Sequence, residues 1–335
     1  MNVSLTTKIL TNKALLKGLE KISEHGTSFA AGTSLFMSLS VRPLAIFTTP
    51  DTEKENKQYA ASNSICSGLL KFAMVEAIAL PIENAVKNID KNPDKFLKSS
   101  TIKNLTNNSK DLASSRSYKL LTQMFKLSSG LLTAIPKSIL TIAFIPIIMD
   151  KLFLRKKKTT KIETHQNIEI TKPNSNLYFT GNITNKLSKG IGKLLDNEKL
   201  QKFAIKFQNN DKDIAKHMSA TTDILLTSTA VYQTDKSKKI KENRKKALIY
   251  NNIISTAITI AGGYGIDKII SGKNGKFIEK FKQLNAKDPK LAKYVEGINI
   301  LRPALIFAGI YYGILPMFST YMSEKIDKYI EKHSK

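Results

Sequence analysis

The chain has 335 residues and a formal net charge of +26, with 53 Lys and Arg against 27 Asp and Glu. Only Arg42, Arg116, Arg155, Arg244 and Arg302 are arginine; base reading and bidentate phosphate clamps favour that residue, so the charge argues against nucleic acid and suits anionic lipid headgroups or plain solvated loops. The single cysteine, Cys66, excludes an intramolecular disulfide.

Residues 1–24 set Leu5, Ile9, Leu15, Leu16, Leu19 and Ile22 against Lys8, Lys13, Lys17 and Lys21. This is a basic amphipathic helix, suited either to a membrane surface or to packing on a core. It lacks the continuous apolar stretch of a cleavable signal peptide.

Apolar segments follow at 26–49, 60–82, 127–149, 217–234, 247–266 and 303–323. A spanning helix needs roughly 20 mostly apolar residues. The last two segments hold no Asp, Glu, Lys or Arg and carry most of the expectation of an all-α, polytopic membrane protein with five or six transmembrane helices. The segment 217–234 is short, rich in Ser and Thr, and holds Asp223. A soluble helical protein, binding nucleic acid or acidic partners, is the competing class.

Lys54-Glu55-Asn56-Lys57 followed by Asn63-Ser64-Ile65-Cys66-Ser67 resembles Lys241-Glu242-Asn243-Arg244 followed by Asn251-Asn252-Ile253-Ile254-Ser255. Each stretch stands between two apolar segments, and each half ends in a proline-bearing one, with Pro136 and Pro146 or Pro303 and Pro316. The expected organisation is therefore the helix of 1–24, a first membrane repeat at 25–158, a polar linker with an amphipathic helix at 159–213, and a second repeat at 214–335. Three spans per half predict inverted halves, as in many transporters. Loop charges divide evenly between the two sides; setting aside the long central loop favours both termini inside, whereas the run Arg155-Lys156-Lys157-Lys158 directly beside a span argues the other way. The expected location is a membrane, bacterial inner or plasma membrane, with the bilayer and its anionic headgroups as partners.

No catalytic motif, metal-ligand spacing or phosphate-cradling loop is present, so no enzyme activity, catalytic residue, cofactor or metal is expected. What remains is a set of ionisable residues inside apolar segments: Arg42, Lys71, Glu76, Lys137, Asp223, Asp267 and Arg302. Such groups are costly in lipid and should face protein or water in pairs. The expected pairs are Arg42 with Glu76, and Arg302 with Asp267 or Asp223, lining a path for an anionic or zwitterionic solute; a non-enzymatic membrane scaffold is the alternative. Helix breaks are expected at Pro43 and Pro303 and at Gly262, Gly263 and Gly265, the glycines serving either unwinding or close helix approach.

Overall fold

A computed structural model describes residues 3–49, 54–107, 109–141, 181–237 and 242–316, and every regular element among them is helical. The strand-like stretch 168–180, the basic run Arg155–Lys158 and the segment ends beyond 141 and 316 lie outside the described residues. The helices are α1 (Val3–Leu10), α2 (Lys13–Glu24), α3 (Gly26–Leu39), α4 (Val41–Thr48), α5 (Lys54–Lys91), α6 (Pro93–Phe96), α7 (Ser99–Thr106), α8 (Arg116–Ile139), α9 (Gly181–Leu195), α10 (Glu198–Phe207), α11 (Ile214–Lys236), α12 (Glu242–Leu284) and α13 (Leu291–Gly309), the last continuing into a π-turn at Ile310–Ile314. Four helical stretches, Gly26–Thr48, Lys57–Lys91, Leu248–Gly272 and Leu291–Ile314, are long and apolar enough to cross a membrane. α8 and α11 do not reach that composition.

Six helices form a closed ring in chain order: α3 with α4, α5, α8, α11, α12 and α13, the last returning to α3. The two similar sequence stretches fall at the start of α5 and of α12, the second helix of each half. Small residues set the close contacts. A Cβ on Gly68 would sit 2.6 Å from that of Ser38, and one on Gly263 would lie 2.5 Å from the Phe307 ring. The cluster Gly262, Gly263 and Gly265 is thus no break: α12 is continuous through it, and Gly262 and Gly263 let α13 approach. Pro303 breaks nothing either, since α13 runs on through Gly309. The break expected at Pro43 falls at Ser40. Proline cannot donate to the carbonyl four residues back and its ring collides with it; α3 therefore stops at Leu39, and Pro43 sits in the first turn of α4, where its missing N–H costs nothing.

The halves run in the same direction. α8 lies parallel to α11, from Arg116 against Asn209 (3.2 Å) to Ser138 against Gln233 (3.3 Å). α3 is parallel to α13, with Gly26 beside Ile300 and Arg42 over Tyr311. We call the end where α3, α8, α11 and α13 enter the ring the base and the opposite end the tip. The inverted arrangement is corrected because the chain leaves α8 at the tip yet re-enters at the base, where α9 and α10 pack. Of the described residues, α2 lies at the base and the π-turn at the tip; residues 317–335, on which the expectation of both termini on one side depends, lie outside the described residues. With Cys66 replaced, cysteines at Ser114 and Asn210 should label from one face of a bilayer and one at Lys236 from the other. Opposite-face labelling of Ser114 and Asn210 would restore inverted halves.

Both apolar cores lie in the base. One joins Val86, Ile89, Leu105, Leu121, Ile191 and Leu195; the other joins Leu10, Leu16, Leu19, Phe281, Tyr294 and Ile298. The supposed linker thus contributes two packed helices, α9 and α10. The apolar stripe of α2 rests mainly on α13, with Phe281 of α12 in the same cluster, so its buried part meets protein. In the ring the pattern reverses. Leu44, Leu69, Leu132, Ile224, Ile254 and Leu305, one from each wall, point outward and are between 45% and 66% exposed, an apolar surface continuous around the bundle.

Candidate functional site

The interior of this ring mixes apolar side chains with charged and hydroxyl groups. A cavity of about 230 Å³ lies between the halves, lined from α3, α4, α5, α8, α11, α13 and the π-turn, while α12 contributes nothing. Arg42, Lys71, Lys137 and Asp223 reach it, with Tyr311 and Tyr312 and the hydroxyls of Ser34, Ser38, Ser64, Ser67, Ser219 and Thr222. The guanidinium of Arg42 lies 5.6 Å from the centre of the Tyr311 ring, within cation–π range. Lys71 feels the charge of Arg42, and Lys137 that of Lys71 and Asp223.

Arg42, Lys71 and Lys137 have no ion-pair partner among the described residues. Three cations thus share the cavity with one carboxylate, a local excess of positive charge in an apolar layer, where uncompensated charge is costly. An anion relieves it. The volume is below the roughly 300–1,000 Å³ of sites for drug-sized ligands, so the fitting solute is small.

The remaining expected residues lie elsewhere. Arg42 does not meet Glu76, because roughly 20 Å of helix separates the start of α3, which Glu76 faces, from Arg42. Glu76 instead neighbours Ser28, Glu83 and His25. Arg302 does pair with Asp267, at 2.6 Å, in a second cluster where Lys216 holds Asp267 at 2.8 Å and Asp213 at 2.9 Å. These cations border a cleft with Tyr264, Lys268 and Asn299, but carboxylates already satisfy Arg302 and Lys216.

Each half thus carries a fully buried carboxylate on its second helix, set against the start of its first. Glu83 accepts from the Thr27 N–H at 2.7 Å, the Ser28 N–H at 3.1 Å and the Ser28 hydroxyl at 2.7 Å. It supplies the cap that α3 lacks, since His25 makes no side-chain capping bond. Asp267 stands likewise at the first turn of α11, whose own Asp213 makes none. Sequence reading missed Glu83 because it lies near the end of a long helix and its partners are 55 or more residues away. The signals for the cavity wall were the ionisable residues Arg42, Lys71, Lys137 and Asp223 and the Ser and Thr content of 217–234.

Compared with protein-family models, curated proteins and solved structures, the chain matches none. The functional argument therefore rests on geometry. Among the described residues no cluster of His, Cys, Asp and Glu could hold a metal.

At the base, burial by itself would raise the Glu24 carboxyl, but hydrogen bonds from Lys87 (2.6 Å) and Lys293 (2.9 Å) outweigh it and hold its pKa near 2, below the ordinary 4.5. A depressed carboxylate stabilises the fold above its unfolded pKa and loses that contribution as pH falls through the folded one. Docking of α2 on α5 and α13 should therefore be full above pH 4.5 and weaken towards pH 2, read as protease cleavage within α2. Glu24→Gln should cost about 1–2 kcal/mol at neutral pH and remove this acid limb. An unchanged limb in that variant would assign it to another group.

Proposed function

We propose that this chain is a polytopic helical membrane protein that binds a small anion in the cavity between its two halves and carries it across the bilayer. The observation behind this reading is a ring apolar on its outer surface that holds charged and hydroxyl groups within, with three cations that have no ion-pair partner among the described residues facing a shared cavity. Lipid is the solvent that makes such a layer stable, because the outer surface needs apolar surroundings and the inner groups need water or a counter-ion. Parallel halves related by an axis along the bilayer normal are one of the arrangements carriers use. Transport by such a pair of halves would proceed by rocking of one about the other around the bound ion.

The second reading, a membrane scaffold without transport, draws on the connection between α8 and α9. α8 ends at the tip and α9 begins at the base, and the sequence between them includes the polar stretch 155–180; polar sequence is a poor passenger through hydrocarbon. The purified protein reconstituted into liposomes and offered phosphate, sulfate, acetate and succinate separates the two. A carrier accumulates at least one labelled anion and exchanges it for the unlabelled form. Thermal stabilisation by an anion without movement would support the scaffold; neither binding nor movement of any of the four would remove the anion reading.

A further inference from the structure

We propose that the outward faces of α9 and α10 form a platform that seats on anionic lipid headgroups at the base end of the apolar layer; this rests on the membrane reading above. The inward faces are committed to protein. Ser188 donates to the Ala85 carbonyl at 3.1 Å, Thr101 donates to Asp196 at 2.6 Å, and Gln201 donates to the Thr101 hydroxyl at 3.0 Å. Ile191, Leu195 and Ala204 are buried behind them. Gly192 passes so close to the Phe96 carbonyl that a Cβ would collide with it.

The outward faces are different in kind. On α10, Lys199, Lys202, Phe203, Lys206 and Phe207 recur at helical spacing on one side, all exposed. On α9, Ile183, Lys186, Lys193 and Leu194 do the same, with Lys189 beside them. Phe203 and Phe207 stack with ring centres 4.8 Å apart, and the Lys206 ammonium lies 5.5 Å from the Phe207 ring. Against six exposed lysines stands one exposed acid, Glu198.

A face meant for water alone has no use for four exposed large apolar side chains. A mixture of lysines and apolar residues along one side is instead the pattern of a helix lying in a headgroup region, where ammonium groups meet phosphate and apolar side chains enter the acyl boundary. The depth agrees. Ser188 contacts Ala85, two residues beyond Glu83 on α5, and Glu83 marks where α3 enters the ring. α9 therefore lies beside the end of the layer, at the level of its headgroups, and α10 follows it on the side away from the ring, by the start of α8. Nucleic acid fits less well, since the face has no arginine and no base-reading groups.

The chain has no tryptophan, so a Phe203→Trp variant of the full-length protein reports on this face alone, and a Leu132→Trp variant reports on the ring. Both would be reconstituted into phosphatidylcholine vesicles with or without phosphatidylglycerol. The expected result is blue-shifted Phe203→Trp emission, quenched by lipids brominated near the headgroup, in vesicles containing phosphatidylglycerol. Quenching should fall several-fold in phosphatidylcholine alone, or when the six lysines are changed to glutamine. Water-like emission quenched by acrylamide, with Leu132→Trp still quenched by lipid, would overturn the platform and leave the membrane reading standing. Failure of both reporters to meet lipid would overturn both. A Phe203→Trp signal that answers to added RNA and not to anionic lipid would overturn the platform in favour of nucleic acid.

Discussion

Converting Arg42 and Lys71 together to glutamine is expected to lower anion uptake into liposomes about 100-fold or more, without loss of fold. Hydrogen bonds to charged groups contribute about 1.5–3 kcal/mol each, and every 1.4 kcal/mol is a factor of ten, so losing two removes at least two decades. Stability should move the other way or not at all. Both cations face the cavity without an ion-pair partner, so neutralising them relieves repulsion in the unliganded protein. The sign of a third variant is the sharper test. Asp223 is the only carboxylate on the cavity wall among the described residues, and Asp223→Asn removes a charge that repels an anion, so binding should tighten. Weaker binding in Asp223→Asn, or unchanged uptake in the double variant, would place the anion elsewhere.

Asp267→Ala is expected to be the most destabilising single change, at about 3–5 kcal/mol. Asp267 is fully buried and binds Arg302 and Lys216 at once; removing one member of a buried ion pair strands the others without counter-charge. Lys216 keeps Asp213, but Arg302 approaches Asp213 no closer than 4.0 Å. The double variant Asp267→Leu with Arg302→Leu should recover part of the loss, because an apolar pair leaves no stranded charge. The readout is the thermal midpoint in detergent. A loss below about 1 kcal/mol for Asp267→Ala would show that water reaches Arg302 freely.

The apolar segments were legible because length and composition alone decide whether a helix can face lipid, and all six contain helix in the described residues. The ionisable residues within them were legible for the same reason: charge in an apolar run stands out. Their partners were not. Arg302 found Asp267 because α12 and α13 are neighbours in sequence and antiparallel, whereas Arg42 and Glu76 lie near opposite ends of α3. The direction of the halves depends on how the chain passes from α8 to α9, and no periodicity in that stretch announces it. Pro43 and Pro303 share a local sequence, yet one follows a break and the other sits inside a helix, because neighbouring helices rather than proline alone decide whether a lost hydrogen bond is tolerated.

The two halves present different helices to the cavity. α5 supplies Ser64, Ser67, Gly68, Lys71 and Phe72 to the cavity, whereas its counterpart α12 is held against α13 through Gly262 and Gly263. Substitutions on α5 at Ser64, Ser67 or Lys71 should therefore alter directly what the cavity accepts, whereas substitutions on α12 should reach it only through the packing of α13.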